Sequence, residues 1–443
     1  MAEATHSFPK NFHWGTASAG YQYEGASANA DFWQWEQGEG HIAQGHKSGR
    51  ACDWWEGRRW QEDFDRAAAD GHNALRMSVE WSRVEPTPAR WDEEALDHYR
   101  EMVKGLRDRG LTPMVTLHHY VNPLWIAERN ALETGEGVAL FERYVRKVVR
   151  ALGEYVNLWC TINEPNAYMY HGWVEGVFPP GKKDIGLALR VARNILKMHA
   201  AAYRAIHELQ PGALVGLPIL FMPIEPAHPG SSLDQWVAQT QFNLFSGLFP
   251  DAIRTGRLRQ LFGGVPVPEA KGTLDFFGLQ YYTASVTRFD LTRPGELFGR
   301  RSFPPEAELD DAKYYASYPP GFYWSLKWAH QFDLPIYVTE NGIGDAADRM
   351  RPRYLITHLR QLWRAVNFNW NVRGYFHWSL VDNFEWERGW THRFGLYALD
   401  TETLARTPRR SAQLYSDICK SNSLSSDIVA RYAPELLESM FPG

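Results

Sequence analysis

A single (β/α)8 barrel, a TIM barrel with long βα loops, is the fold the sequence predicts, and three observations predict it. Eight short β-branched or aromatic runs recur along the 443 residues, their starts roughly 40 to 60 residues apart. Helical patterns separate the runs, and no obvious linker divides the chain into two domains. Polar or aromatic groups follow nearly every run, which is where barrels of this kind keep their chemistry.

Taken in order, the first run, Phe12–Thr16, is followed by Tyr21-Gln22-Tyr23-Glu24. The second, Ala74–Val79, carries Arg76 and Ser78, with Trp81-Ser82-Arg83 just beyond. The third, Thr112–Leu117, leads into His118-His119-Tyr120, and the fourth, Leu158–Ile162, into Asn163-Glu164-Pro165. Leu214–Leu220 is the fifth, and Phe276–Gln280, followed by Tyr281-Tyr282, the sixth. The seventh, Ile336–Thr339, runs into Glu340, after which Asn341-Gly342 is expected to turn the chain. The eighth, Gly374–Phe376, precedes His377-Trp378-Ser379. Among the helices, Leu187 to Leu209 is the clearest. Leu187, Val191, Ile195, Met198, Ala202, Ile206 and Leu209 recur at steps of three and four, and Pro211-Gly212 stops them. Trp60 to Asp70 and Ala95 to Arg109 read the same way.

Composition narrows the function. Charged residues make up 22% and hydrophobic residues 44%, as in an ordinary soluble domain. A net charge of -5 and a pI of about 6.4 argue against nucleic acid or an anionic membrane as the main partner. No stretch reaches the length of a membrane span, and no apolar run follows Met1-Ala2-Glu3. Cys52, Cys160 and Cys419 make neither a disulfide framework nor a zinc pattern, and they fit a reducing, cytoplasmic location. The outlier is aromatic, with 19 Trp, 21 Tyr and 23 Phe. Rings of that kind also suit sugars, whose C–H faces lie on indoles while their hydroxyls need donors and acceptors.

Two glutamates at strand ends, Glu164 and Glu340, each stand beside an asparagine. A lone one would read as a helix-cap partner or a surface ion pair. A pair in like contexts points to one site with two carboxylates, which is the equipment of glycosidic bond cleavage. One carboxyl group protonates the leaving oxygen; the other attacks the anomeric carbon or activates water. The attacking group must be ionised, and Arg76 and Tyr282 are the candidates for keeping it so.

The chain resembles the family 1 glycoside hydrolases, the β-glucosidase and β-glycosidase family, over nearly its whole length. The resemblance rests on Phe12-His13-Trp14-Gly15-Thr16-Ala17, Tyr21 to Gly25, Arg76 to Arg83, and Thr161-Ile162-Asn163-Glu164-Pro165-Asn166. It continues through Gly172 to Gly176 with Pro180-Gly181, Val338-Thr339-Glu340-Asn341-Gly342, and Trp378 to Trp386 with Arg393 to Leu396. It implies a retaining mechanism with Glu340 as nucleophile and Glu164 as acid/base. It implies that Gln22, His119, Asn163 and Glu385 hydrogen-bond the terminal sugar, with Trp378 under its ring and Trp386 at the rim. The substrates implied are small β-glycosides or short oligosaccharides ending in β-glucose, with galacto and fuco sugars also open, and no metal or organic cofactor is implied.

Departures from the family's pattern shape these expectations. Glu385-Trp386-Glu387 replaces the Ser-Lys-Tyr grip of members that read 6-phosphosugars, so a phosphorylated glycone would meet negative charge. Gln280 stands where Asn is common, and Tyr120 where Trp or Phe usually follows the histidine; near Tyr315 the family often places a Trp for the leaving group. A transglycosylase would use the same site with a sugar or alcohol in place of water. A non-catalytic sugar-binding barrel is the remaining alternative, and relatives of that kind lack one of the glutamates.

Rival motifs fail. Gly176 to Lys182 has phosphate-loop spacing, but Lys183 replaces the Ser/Thr, and Pro179 and Pro180 remove two N–H donors. Gly15 to Gly20 misses the nucleophile-elbow spacing by one residue. His118 is expected to be a packed, satisfied histidine, and Glu80 to pair with a nearby arginine. After a Ser-rich break at 421–426, Ile428, Leu436, Leu437 and Met440 predict a terminal helix packed on the outside of the barrel. The sharper alternative for that tail is burial between copies of the chain in a homo-oligomer.

Overall fold

All eight expected strands form, and they close into a parallel barrel. They are β1 (His13–Ala17), β2 (Ala74–Ser78), β3 (Thr112–Thr116), β4 (Leu158–Cys160), β5 (Leu214–Phe221), β6 (Phe276–Tyr281), β7 (Ile336–Asn341) and β8 (Val372–His377). Each pairs with its neighbour in sequence, and β8 pairs back onto β1. The structure, a computed structural model, describes residues 4–261 and 263–442. Strands buried on both faces read as continuous apolar runs, and β2, β4, β6 and β7 are buried at every position.

β7 departs from ideal pairing. On the β6 side Leu279 pairs with Val338 but Gln280 with Glu340, and on the β8 side the ladder slips between Val338 and Asn341. Both ladders therefore see one extra residue on β7 beside Glu340, a bulge that re-aims the side chains at the barrel's mouth. The expected turn at Asn341-Gly342 is absent. Asn341 is the last residue of β7, and its buried amide donates to Tyr281 O at 2.6 Å and Tyr354 Oη at 2.7 Å and accepts from Tyr375 Oη at 2.8 Å. Gly342 is needed for a close approach instead, because a Cβ there would run into the carbonyl oxygen of Trp378.

Helices sheathe the barrel. The longest, Ile185–Leu209, begins two residues earlier than its apolar spacing suggested, because Asp184 caps it by accepting from Leu187 N at 2.9 Å. It buries Val191, Ile195, Met198, Ala202 and Ile206, each large aliphatic among them contributing on the order of 1.5–3 kcal/mol. Helices Trp60–Ala69 and Glu93–Asp108 stand where expected, the second capped by Asp92. Among the described residues no helix is long and apolar enough to cross a membrane.

The two ends of the described chain meet. Strand Thr5–Ser7 pairs antiparallel with Ser423–Ser425 inside the Ser-rich stretch. Beyond it the tail is not one helix. Helix Ser426–Tyr432 stops at Ala433, because Pro434 has no N–H to give and holds the preceding residue out of helical geometry. A short helix, Leu437–Met440, follows. Ile428, Val429, Tyr432 and Met440 are buried, and the His6 ring lies between Trp363 and Phe441, at 3.8 and 4.6 Å.

Candidate active site

Arg76 lies in the middle of β2, fully buried inside the barrel, where an unpaired cation would be very costly. Its partners come from three other strands or their ends. One terminal nitrogen donates to Glu340 Oε1, the other to Asn163 Oδ1 at 2.5 Å, and Nε to Thr116 Oγ1 at 3.1 Å. Tyr282, just past β6, donates to the other oxygen of Glu340 at 2.6 Å. Gln280 Nε2 also donates to Asn163 Oδ1, at 2.9 Å. With Oδ1 accepting twice, the Asn163 amide is fixed in one sense, and its NH2 is left to donate into the pocket.

Glu164 follows β4, with a left-handed backbone (φ 38°) and its N–H bonded to Pro218 O at 2.9 Å on β5. Pro165 then starts helix Pro165–Tyr170 at the position where a missing N–H costs nothing. The Glu164 carboxyl is buried. Its Oε2 accepts from the Tyr120 hydroxyl, and its Oε1 has no hydrogen-bond partner among the described residues.

The two carboxyls thus sit in one pocket in opposite surroundings. Burial pushes both pKa values up. Glu340 is drawn back by the Arg76 guanidinium against it, then by the Tyr282 hydroxyl. Glu164 is pushed further up by the charge of Glu340, and only the Tyr120 hydroxyl and the more remote Arg76 oppose this. These surroundings favour the proton on Glu164 and the charge on Glu340, with the two titrating as a coupled pair.

The rim supplies groups suited to hydroxyls and apolar faces. Gln22 Nε2 is taken up by Asn383 Oδ1 at 3.0 Å, Phe384 O at 2.9 Å and Glu385 Oε2 at 3.3 Å, which leaves its buried Oε1 as a free acceptor. His119 is held neutral, its pKa driven well below the usual value by burial and then by Arg76. Its ring lies nearly parallel to Trp378 at 6.4 Å and to Trp386 at 5.9 Å. Glu385 is pushed up to about 8 by burial, then by the charges of Glu387 and Glu340.

Nine of the ten residues singled out from the sequence line this one pocket: Gln22, His119, Asn163, Glu164, Tyr282, Glu340, Trp378, Glu385 and Trp386. Arg76 supports it from beneath. Tyr120, Glu387, Arg388, Tyr314 and Tyr315 line it too, and Gln280 braces Asn163; in the sequence Tyr120 and Gln280 showed only as unusual residues at their positions. Outside the pocket, His118 is buried as expected, with Nε2 3.1 Å from Asn122 Oδ1, but it is only half satisfied, because its buried Nδ1 has no hydrogen-bond partner among the described residues. Glu80 does not gain the arginine expected for it. Arg83 pairs with Glu24 at 2.8 Å, and the buried Glu80 has Oε2 without a partner, so burial and then the Glu24 charge hold its carboxyl well above the usual range. Among the described residues no group of three or more His, Cys, Asp or Glu is placed to hold a metal ion.

The chain is similar to known proteins over nearly its whole length. The profile of "Glycosyl hydrolase family 1" matches residues 4–424. The chain is 30% identical to a β-galactosidase of Pyrococcus woesei, over 95% of this chain and 98% of that one. It is 32% identical to β-glucosidase A of Thermotoga maritima, over 94% and 98% respectively. Among solved structures, a β-glycosidase from Pyrococcus horikoshii superposes with a TM-score of 0.90 at 36% identity, covering 97% of this chain and 98% of that one. The T. maritima β-glucosidase in complex with glucoimidazole gives 0.89 at 30% identity, covering 95% and 100%.

Proposed function

Because the chain belongs to glycosyl hydrolase family 1, we propose that it is a retaining, exo-acting β-glycosidase that removes terminal β-D-glucosyl residues from small β-glycosides or short oligosaccharides. The observation that carries this reading is the opposed environment of the two buried carboxyls. Glu340, flanked by a guanidinium and a phenol, is the nucleophile: it attacks the anomeric carbon and forms a glycosyl-enzyme ester. Glu164 gives its proton to the departing oxygen, then takes one from the water that cleaves the ester. Asn163 is oriented to donate to the sugar 2-OH, a bond that strengthens in the transition state. Gln22, His119 and Glu385 hold the other hydroxyls, Trp378 supports the ring and Trp386 closes its rim. Glucose is the preferred sugar in this reading, with galactose and fucose as secondary ones; the relatives bear the names of both β-glucosidases and β-galactosidases. Three buried free thiols support a cytoplasmic location.

Incubation with an activated 2-deoxy-2-fluoro β-glucoside, followed by intact mass and peptide mapping, tests the reading. The fluorine weakens the 2-OH interaction and slows release, so a sugar should accumulate on the Glu340 peptide, and Glu340→Gln should show neither adduct nor turnover. Cleavage of the ordinary aryl glucoside with no adduct would overturn the assignment of Glu340 as nucleophile.

A further inference from the structure

Among the described residues, the one protein group that hydrogen-bonds the acid/base carboxyl is a residue the family pattern does not supply. Tyr120 follows β3 with its backbone in the left-handed region (φ 69°), a conformation a bulky side chain adopts only when its surroundings impose it. Those surroundings are aromatic. The Tyr120 ring stacks on Tyr168 at 5.8 Å and 21°, meets Trp386 nearly edge-on at 5.1 Å and leans on Phe178 at 5.5 Å. Tyr168 is held in turn by Asn122 Nδ2, which donates to its hydroxyl at 2.6 Å and to Asp31 Oδ2 at 2.8 Å. At the end of this braced ring the Tyr120 hydroxyl donates to Glu164 Oε2, while Glu164 Oε1 stays free.

We propose that Tyr120 is a positioning residue for proton transfer, a fixed donor on Glu164 Oε2 that confines the transferable proton to Oε1. The inference rests on the reading of Glu164 as acid/base. In the first half-reaction the proton leaves Oε1 for the glycosidic oxygen as the bond from that oxygen to the anomeric carbon breaks and the bond to Glu340 forms. In the second, water adds to the anomeric carbon, the bond to Glu340 breaks, and the water's proton returns to Oε1. A phenol hydrogen bond favours the ionised carboxyl, so Tyr120 also keeps Glu164 from holding its proton too tightly to act as an acid. Burial keeps the Tyr120 hydroxyl protonated, and so always a donor.

Tyr120→Phe removes one oxygen and keeps the ring, and Phe is among the residues the family uses at this position. On a phenyl β-glucoside, whose departure needs a proton, kcat/KM should fall about tenfold, and its alkaline limb should move up by about one pH unit. On a dinitrophenyl β-glucoside, which departs without one, kcat/KM should stay within about twofold. Incorporation of 3-fluorotyrosine at position 120 keeps the packing and makes the phenol a stronger donor, so the limb should move down. Equal losses on both substrates with the limb in place, or a limb that ignores fluorination, would show that Tyr120 only packs. Glu164→Ala separates the two ideas. If it lacks any dependence on the leaving group, the acid/base assignment falls; if it shows one while the Tyr120 variants do not, only this inference falls.

Discussion

Glu385 must bind hydroxyls from a position where its own charge is unwelcome. Its carboxyl is buried, and Glu387 and Glu340 face it, so its pKa stands at about 8 against an ordinary 4.5. A carboxyl whose pKa is higher in the folded chain than in the unfolded one favours folding most below the ordinary value. That contribution is lost as pH rises through the folded one. Glu385→Gln should therefore raise the melting temperature by a few degrees at pH 9 and change it little at pH 4, measured by calorimetry with no sugar present; an equal shift at both pH values would remove the electrostatic explanation. At this same scale the sequence was partly legible. Motif residues such as Glu340 and Asn163 stand out beside their strands, whereas the Tyr120–Glu164 and Gln280–Asn163 contacts join residues 44 and 117 positions apart. Only the closed barrel brings such pairs together, so nothing local in the sequence announces them.

Elements explain which expectations failed. The strands were legible because burial on both faces demands unbroken apolar runs. Asn-Gly after such a run resembles a turn, yet the bulge carries β7 through Asn341, whose amide serves three neighbours at the barrel's mouth. The tail resembled one helix because apolar spacing persists across Ala433-Pro434, while the proline itself ends the helix before it. Gly342 tests the β7 account. With a methyl group at that position, β7 and the start of the Trp378 segment cannot approach as they do. Gly342→Ala should cost about 2–4 kcal/mol of stability and lower kcat more than a comparable change on the outer helices, read by denaturant titration and by turnover of an aryl glucoside. A fully stable, fully active Gly342→Ala protein would mean the approach is not required.

Over the whole molecule, the pocket is assembled from residues as distant as Gln22 and Arg388, and the barrel beneath them is closed, β8 pairing back onto β1. A chain joined end to end through a short Gly/Ser linker and opened between Pro294 and Gly295, in an exposed stretch, should keep its circular dichroism spectrum and retain kcat/KM within about tenfold. Loss of the cooperative melt would mean that the chain must run unbroken through residues 294–295 for the barrel to fold. The ladder between Thr5–Ser7 and Ser423–Ser425, with the His6 ring set between Trp363 and Phe441, makes the two ends of the described chain neighbours. Over its described residues the polypeptide is in effect a ring with a seam, and a permuted chain would move that seam.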